Sequence, residues 1–230
     1  TEITYVCGCD IKTFYDSIKR DRLIRELSRR IKTAEALTLI RHAINTPTVP
    51  KNGRRSVYRE YQSGDGVPQG LAISNILASI YMRSVDTAMS KLSVKYYRYV
   101  DDVLMYGDKD QLIEAKKSLT LRLKRRGLDI HGTRSGKSHF ASLDRPFSYL
   151  GYKFEWPDIT VKDGAVERLL QSLVAKFSDY SHNRTRRLEK IKYLNEKRLA
   201  DIFILELNER ITGAISDGKR YGWVAYFSQI

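Results

Sequence analysis

The chain has 230 residues, 42% of them apolar, which is enough for one large domain or two small ones and excludes a disordered polypeptide. Lys and Arg number 41 against 27 Asp and Glu, a net charge of +14 that points to a polyanionic partner. No apolar run approaches the roughly 18 residues of a membrane-spanning helix, so no membrane association is expected.

The first run, Ile3–Cys9, is β-rich and ends at Asp10. Thr1–Cys9 carries no basic n-region, so no signal peptide is expected. Cys7 and Cys9 lie two apart on this strand without the partners a zinc site needs, and are read as reduced thiols of a cytoplasmic protein. Arg22–Ile31 and Ala34–Asn45 read as helices, the second closed by Pro47 and Pro50. A basic loop follows at Thr46–Ser56, then the glycine-rich Gln62–Gly70. Ser74 is the expected cap of a helix whose apolar positions (Ile76, Leu77, Ile80, Tyr81, Val85) recur at three-to-four spacing.

Tyr96–Val100 and Val103–Tyr106 are β-prone runs on either side of Asp101-Asp102, which reads as a tight hairpin with its acids at the turn. Lys109–Arg126 is a helix with Leu112, Ala115, Leu119 and Leu123 on one face and Gly127 at its end. Leu128–Ile130 and Ser138–Ala141 are short strands, and Phe147–Glu155 with Ile159–Lys162 forms a hairpin around Trp156-Pro157-Asp158. After Gly164 only helices are expected, at Ala165–Ser181, Arg184–Ala200 and Ile202–Ile215, before a Tyr- and Trp-rich end. The pattern shift sets a domain boundary, with residues 1–156 in one unit and 157–230 in a basic helical module. The first unit has the strand–helix–strand–strand–helix–strand order of a split βαβ sheet, so the fold class is α+β.

Such a sheet pairs its first strand with the central hairpin, bringing Asp10 towards Asp101 and Asp102. Three carboxylates together repel one another unless a cation neutralises them, and oxygen ligands suit a hard ion such as Mg²⁺. Basic residues cluster in two places: Lys19–Lys32 holds seven against two acids, and Arg184–Arg198 again seven against two. The 15 tyrosines supply rings on which bases or sugars can stack.

Asp10-Ile11-Lys12-Thr13-Phe14-Tyr15, Val67-Pro68-Gln69-Gly70, Tyr99-Val100-Asp101-Asp102, Lys137 after a helix, and Tyr149-Leu150-Gly151-Tyr152 resemble, in order and spacing, the palm of reverse transcriptases. The likeness covers residues 1 to about 155. It implies a right-hand polymerase palm with helices on one face of the sheet, followed by a small helical thumb. Asp10, Asp101 and Asp102, with the Ile11 carbonyl, would hold two Mg²⁺ ions (or Mn²⁺), and Lys137 would protonate the departing pyrophosphate. Phe14, Tyr15, Gln69 and Gly70 would meet the incoming dNTP, Tyr15 excluding a 2′-hydroxyl. Tyr99 and Val100 would touch the primer end, and Tyr149, Leu150 and Gly151 would grip its backbone. Arg184, Arg186, Arg187, Lys190 and Lys192 would follow the template–primer duplex of RNA and DNA through its phosphates.

Phe14–Ile18 and Gly66–Asn75 look like the bacterial branch of retrons, group II intron proteins and defence-associated enzymes, and the tail from Leu207 to Gln229 is most similar to the last of these. The expectation is therefore an RNA-directed DNA polymerase of a bacterial cytoplasm serving antiviral defence, with a partner protein, a noncoding RNA or a second copy as companions. Alternatives are DNA synthesis without an ordinary template or primed on a protein hydroxyl, a non-catalytic nucleic-acid-binding palm, and another split-βαβ enzyme such as a cyclase or an RNA polymerase. One departure stands out: only nine residues precede Asp10, where family members carry a fingers region whose basic residues clamp the triphosphate. Lys51, Arg54 and Arg55 are no evident substitute, so the clamp is expected upstream of Thr1.

Overall fold

A computed structural model of the chain describes residues 4–46, 64–132, 138–216 and 219–228. Strand β1 (Tyr5–Asp10) lies at the heart of a four-stranded antiparallel sheet, joined by β2 (Lys95–Tyr99), β3 (Asp102–Gly107) and β4 (His139–Ser142) in the order β2-β3-β1-β4. Since β3 sits between β1 and β2, the crossover from β1 to β2 is the split βαβ arrangement. The expected strand at Leu128–Ile130 is reduced to one bridge, Ile11 to Ile130.

Alternation along the strands decides which face is covered. Cys7, Cys9, Val103 and Met105 point to one side and are buried there. Against the sheet and one another pack α2 (Arg20–Ser28), α4 (Ser74–Met89) and α5 (Lys109–Lys124), preceded by the single turn α1 (Phe14–Ser17) and followed in space by α3 (Ala34–Ile44). Leu112, Ala115, Leu119 and Leu123 are all buried, as their spacing demands. Asp108 caps α5, its carboxylate accepting from the amides of Asp110 (2.9 Å) and Gln111 (3.3 Å). The thiols of Cys7 and Cys9 are free, buried and 3.7 Å apart; the hydrogen bond to Cys9, with burial, pushes the Cys7 thiol well up, so it stays protonated.

Ser74 differs from its expected role. It is the first helical residue rather than the cap, and its buried hydroxyl donates to the Pro68 carbonyl at 2.6 Å. This bond ties the Val67-Pro68-Gln69-Gly70 segment to α4.

The chain divides into two compact units at Tyr149 and Leu150, inside the hairpin expected to grip a primer. The first unit closes with β5 (Phe147–Tyr149). In the second, β6 (Tyr152–Glu155) and β7 (Asp158–Val161) form a hairpin that leads into α6 (Asp163–Lys190) and α7 (Glu196–Ile211). The helix break expected at Ser181–Asn183 is absent. Those residues have no glycine or proline, and their side chains bond one turn back, His182 with the Ser178 carbonyl and Asn183 to Asp179. The break falls at 191–195 instead, where Asn195 caps α7 by accepting from the Arg198 amide.

The C-terminal part is not helical only. Strands β8 (Ala214–Ser216) and β9 (Lys219–Tyr221) pair before the short α8 (Trp223–Phe227). Tyr226 donates to the Leu150 carbonyl at 3.3 Å, and Tyr152 to the Tyr226 carbonyl at 3.0 Å. The aromatic end therefore closes back on the start of its own unit. Among the described residues no helix is long and apolar enough to cross a membrane.

Candidate active site

Asp10 is the last residue of β1 and the direct cross-strand partner of Asp102, the first residue of β3. Partners in register share a face, with Cβ atoms about 4.5–5.5 Å apart. Both carboxylates therefore emerge on the face of the sheet opposite Cys9 and Val103, away from the helices. Asp101 precedes Asp102 in the turn, where the Ile11 amide donates to its carbonyl at 3.1 Å. Beyond the strand the chain stays tethered: the Lys12 amide donates to Asp129 (2.8 Å) and the His131 amide to the Asp10 carbonyl (2.8 Å).

Since Tyr99 pairs with Asp102, the turn itself is Val100-Asp101. Val100 has φ 55°, a left-handed conformation that a β-branched residue rarely adopts. Arg98 holds it there. One guanidinium N–H donates to the Val100 carbonyl (2.8 Å), while two others grip Asp86 on α4 at 2.8 and 2.5 Å. Tyr96 adds a bond to the same carboxylate at 2.8 Å. Among the described residues three non-glycine residues have left-handed φ values, Thr13, Val100 and Leu150, and each lies in or beside a segment expected to contact substrate. Strain of this kind, about 1–3 kcal/mol per residue, persists where the surroundings impose it.

Around the turn the expected nucleotide residues separate into two groups. Phe14 is buried in the hydrophobic core and contributes packing. Tyr15 is partly exposed; its hydroxyl donates to the Asn75 carboxamide oxygen at the start of α4. Burial and then the charge of Asp101 raise the Tyr15 phenol, which stays protonated. Gln69 and Gly70 are exposed, and the space over Gly70 is open. Their segment is strapped against α1 by the Gly66 amide to Ile18 (2.7 Å) and the Val67 amide to Tyr15 (2.8 Å). Gly66 permits this: at φ 90°, a Cβ would sit 3.0 Å from the Asp16 backbone.

Tyr99 is 62% exposed on the open face, and Tyr97 beside it stacks on Tyr106 at 6.0 Å. The Tyr149 hydroxyl lies 3.4 Å from the Asp102 carbonyl, and burial together with the Asp102 charge pushes its phenol up to about 12. Leu150 and Gly151, both with positive φ, carry the chain into the second unit. On α6, Arg184 pairs with Glu196 and Arg187 with Asp179, both at 2.6 Å, whereas Arg186 and Lys190 form no ion pair among the described residues. Lys137 and the basic loop residues Lys51, Arg54 and Arg55 lie outside the described residues.

Four neighbours of the turn were not anticipated. Asp86 and Arg98 hold the Val100 turn, Asn75 holds the Tyr15 hydroxyl, and His131 Nε2 lies 3.3 Å from Asp10 Oδ1. A signal existed for Arg98: in Tyr96-Tyr97-Arg98-Tyr99 it shares the buried parity with Tyr96, and a charge on that parity demands a partner.

The donor chemistry fits a divalent cation: Asp10 and Asp102 offer hard oxygens from one face, with Asp101 adjacent. Among the described residues no three acidic, His or Cys side chains form a closed cluster, so the fit rests on register and ligand type. A split βαβ sheet with paired acids at one end and helices on its other face defines a polymerase palm. Solved structures agree on the fold. Apo telomerase from Candida tropicalis truncated from its C-terminal domain superposes with a TM-score of 0.53 at 17% identity, over 70% of this chain and 36% of that one. Telomerase from Candida albicans in complex with a TWJ fragment of telomeric RNA gives 0.53 at 14% identity, over 90% and 44%.

Residues 1–154 match the family described as reverse transcriptase (RNA-dependent DNA polymerase), and the chain belongs to that family. A curated relative, an uncharacterized 91 kDa protein in the cob intron of Schizosaccharomyces pombe, is 37% identical over 87 residues, which is 38% of this chain and 10% of that protein. The chain thus spans about a tenth of that relative and less than half of either of these telomerase chains.

Proposed function

We propose that this chain is the palm and thumb portion of an RNA-directed DNA polymerase that adds dNMP units to a primer 3′-hydroxyl. The observation that carries the reading is the register of Asp10 against Asp102, with Asp101 in a turn fastened to Ile11 and Arg98. Asp10, Asp101 and Asp102 would hold the divalent ions, which when bound acidify the attacking hydroxyl and neutralise the leaving pyrophosphate. The open, tyrosine-bearing face beside them would receive the primer end on Tyr99 and Val100. Tyr149, braced on the Asp102 strand, would position the primer backbone with Leu150 and Gly151. Tyr15, fixed by Asn75 next to Asp101, would close the space under the sugar, and Gln69 with Gly70 would border the nascent base pair.

Primer extension by the full-length protein on RNA, on DNA and without template, with single dNTPs and Mg²⁺, tests this reading. Incorporation on RNA that disappears in Asp101→Asn is the expected result; metal-independent incorporation, or a fully active Asp101→Asn, refutes it. Tyr15→Val should raise use of rNTPs relative to dNTPs, and unchanged sugar selectivity would remove the gate assignment. The extension assay without template also covers template-free synthesis. A non-catalytic palm gains no support, since the sequence keeps all three carboxylates.

The finer reading, a bacterial enzyme of antiviral defence, is supported by the phrases at Phe14–Ile18 and Gly66–Asn75 and by the tail from Leu207. The similar curated protein comes from a fission yeast and lies in an intron, so the likeness does not single out a bacterial defence enzyme. Restriction of phage growth that is lost in Asp101→Asn would support the defence role.

A further inference from the structure

The helical side of the first unit carries a groove that the catalytic reading does not use. It lies among α2, α4 and α5 and has a volume of about 930 Å³. Its floor is Arg126, 4% exposed and fully engaged: it bonds Glu26 (2.8 Å), Ser84 (2.7 Å) and the Tyr81 carbonyl. Five further cations line the groove: Arg29 and Arg30 just past the end of α2, Arg83 on α4 and Lys91 past its end, and Arg122 on α5. None of the five forms an ion pair among the described residues. Glu26 is the one acid in the lining, and Arg126 and Arg22 already hold it.

Five cations with no ion pair among the described residues repel one another around one groove, a field that favours a polyanion. We propose that this groove binds the sugar–phosphate backbone of a nucleic acid strand, as a second site separate from the catalytic face. The cations do not converge on a point, as a site for a single phosphate would require. Arg83 lies on α4 and Lys91 two residues past its end, and from Arg83 to the last residue of α4 alone the helix rises about 9 Å, more than one phosphate spans. Four of the five are arginines, whose planar forks suit phosphate oxygens, and the Thr87 hydroxyl adds a donor among them. Asp10 and Asp102 emerge on the opposite face of the sheet, so nucleic acid in this groove is not the segment undergoing extension. The inference goes beyond the polymerase reading and does not depend on catalysis.

The test uses the full chain and single-stranded RNA or DNA long enough to span the groove, with affinity followed by anisotropy across a salt series. Arg29→Gln/Arg83→Gln/Lys91→Gln is expected to weaken binding about tenfold and to lower the salt slope by about 2, near 0.7 for each phosphate of a single strand that is no longer neutralised. Arg29→Lys/Arg83→Lys, which keeps the charge, should retain the slope. RNA cross-links should map to α2 and α4 and survive an excess of a short primer–template hairpin. A difference between the RNA and DNA arms identifies which strand is held. Unchanged affinity and slope in the triple variant, or cross-links erased by the hairpin, would overturn the proposal. So would a polyglutamate peptide that competes as well as RNA, which would give the groove to an acidic protein. Equal thermal melting of the variant and the parent excludes unfolding as the cause of any loss.

Discussion

At the residue scale, Arg98 connects packing to chemistry. Its three bonds join α4 to the carbonyl of a left-handed valine that precedes the Asp101 carboxylate. Lysine at this position would keep the charge but lose the fork, and with it the hold on Val100. Arg98→Lys is therefore expected to slow nucleotide addition about tenfold to a hundredfold with little change in primer–template affinity, because a misplaced turn harms geometry before binding. A pre-steady-state measurement of rate against affinity distinguishes this from general unfolding, which would lower both. Tyr149 offers a second test. Its phenol is raised to about 12 by burial and the Asp102 charge, against roughly 10 in an unfolded chain. The folded state thus favours the protonated phenol. The stability this contributes is complete below about pH 10 and is lost as pH rises towards 12. Tyr149→Phe should flatten the decline in urea midpoint across that window, and an unchanged slope would show that the environment of Tyr149 does not govern it.

At the element scale, α5 shows how local sequence and packing share the work. Its cap, Asp108, is exposed to solvent and satisfies two amides; its core face is fully buried. Asp108→Ala is expected to cost about 1 kcal/mol and Leu119→Ala about 2–5 kcal/mol, the latter adding a cavity to lost burial. Urea unfolding measures both, and a cap loss equal to the core loss would contradict the assignment of α5 stability to packing. This helix was legible because capping residue, periodicity and terminal glycine agree. The strands β1, β2 and β3 were legible too, as was the order that places Asp10 against Asp102. Less legible were features that rest on contacts remote in sequence. Nothing local distinguishes Ser74 as cap from Ser74 as a donor to Pro68. The polar Ser181-His182-Asn183 resembled a break, yet without glycine or proline its side chains satisfy themselves within a continuous helix. The β8–β9 hairpin escaped because its strands are three residues each, too short to show alternation. Phe14 sits in a motif that suggests substrate contact, and only its burial shows that the ring belongs to the core.

At the scale of the whole molecule, the excess of 14 positive charges is distributed unevenly, and local pairing decides which of them are available to a polyanion. On α6 the basic run looks uniform in sequence, but Arg184 and Arg187 already face Glu196 and Asp179, while Arg186 and Lys190 are exposed without such partners. An exposed ion pair is worth little to stability, yet a phosphate must displace its carboxylate before it can gain the cation. Arg186→Gln/Lys190→Gln should therefore lower the slope of log affinity against log salt on duplex by about 2, near 0.9 for each phosphate left without its cation. Arg184→Gln/Arg187→Gln should lower it less, since part of their charge is spent within the protein. Titration of one primer–template duplex against both double variants over a salt series compares the two directly. Equal slopes would mean that both ion pairs open on binding, and then the uniform reading of the run holds after all. A steeper loss from the paired arginines would reverse the ranking and show that Glu196 and Asp179 position those guanidinium groups for phosphate rather than compete for them.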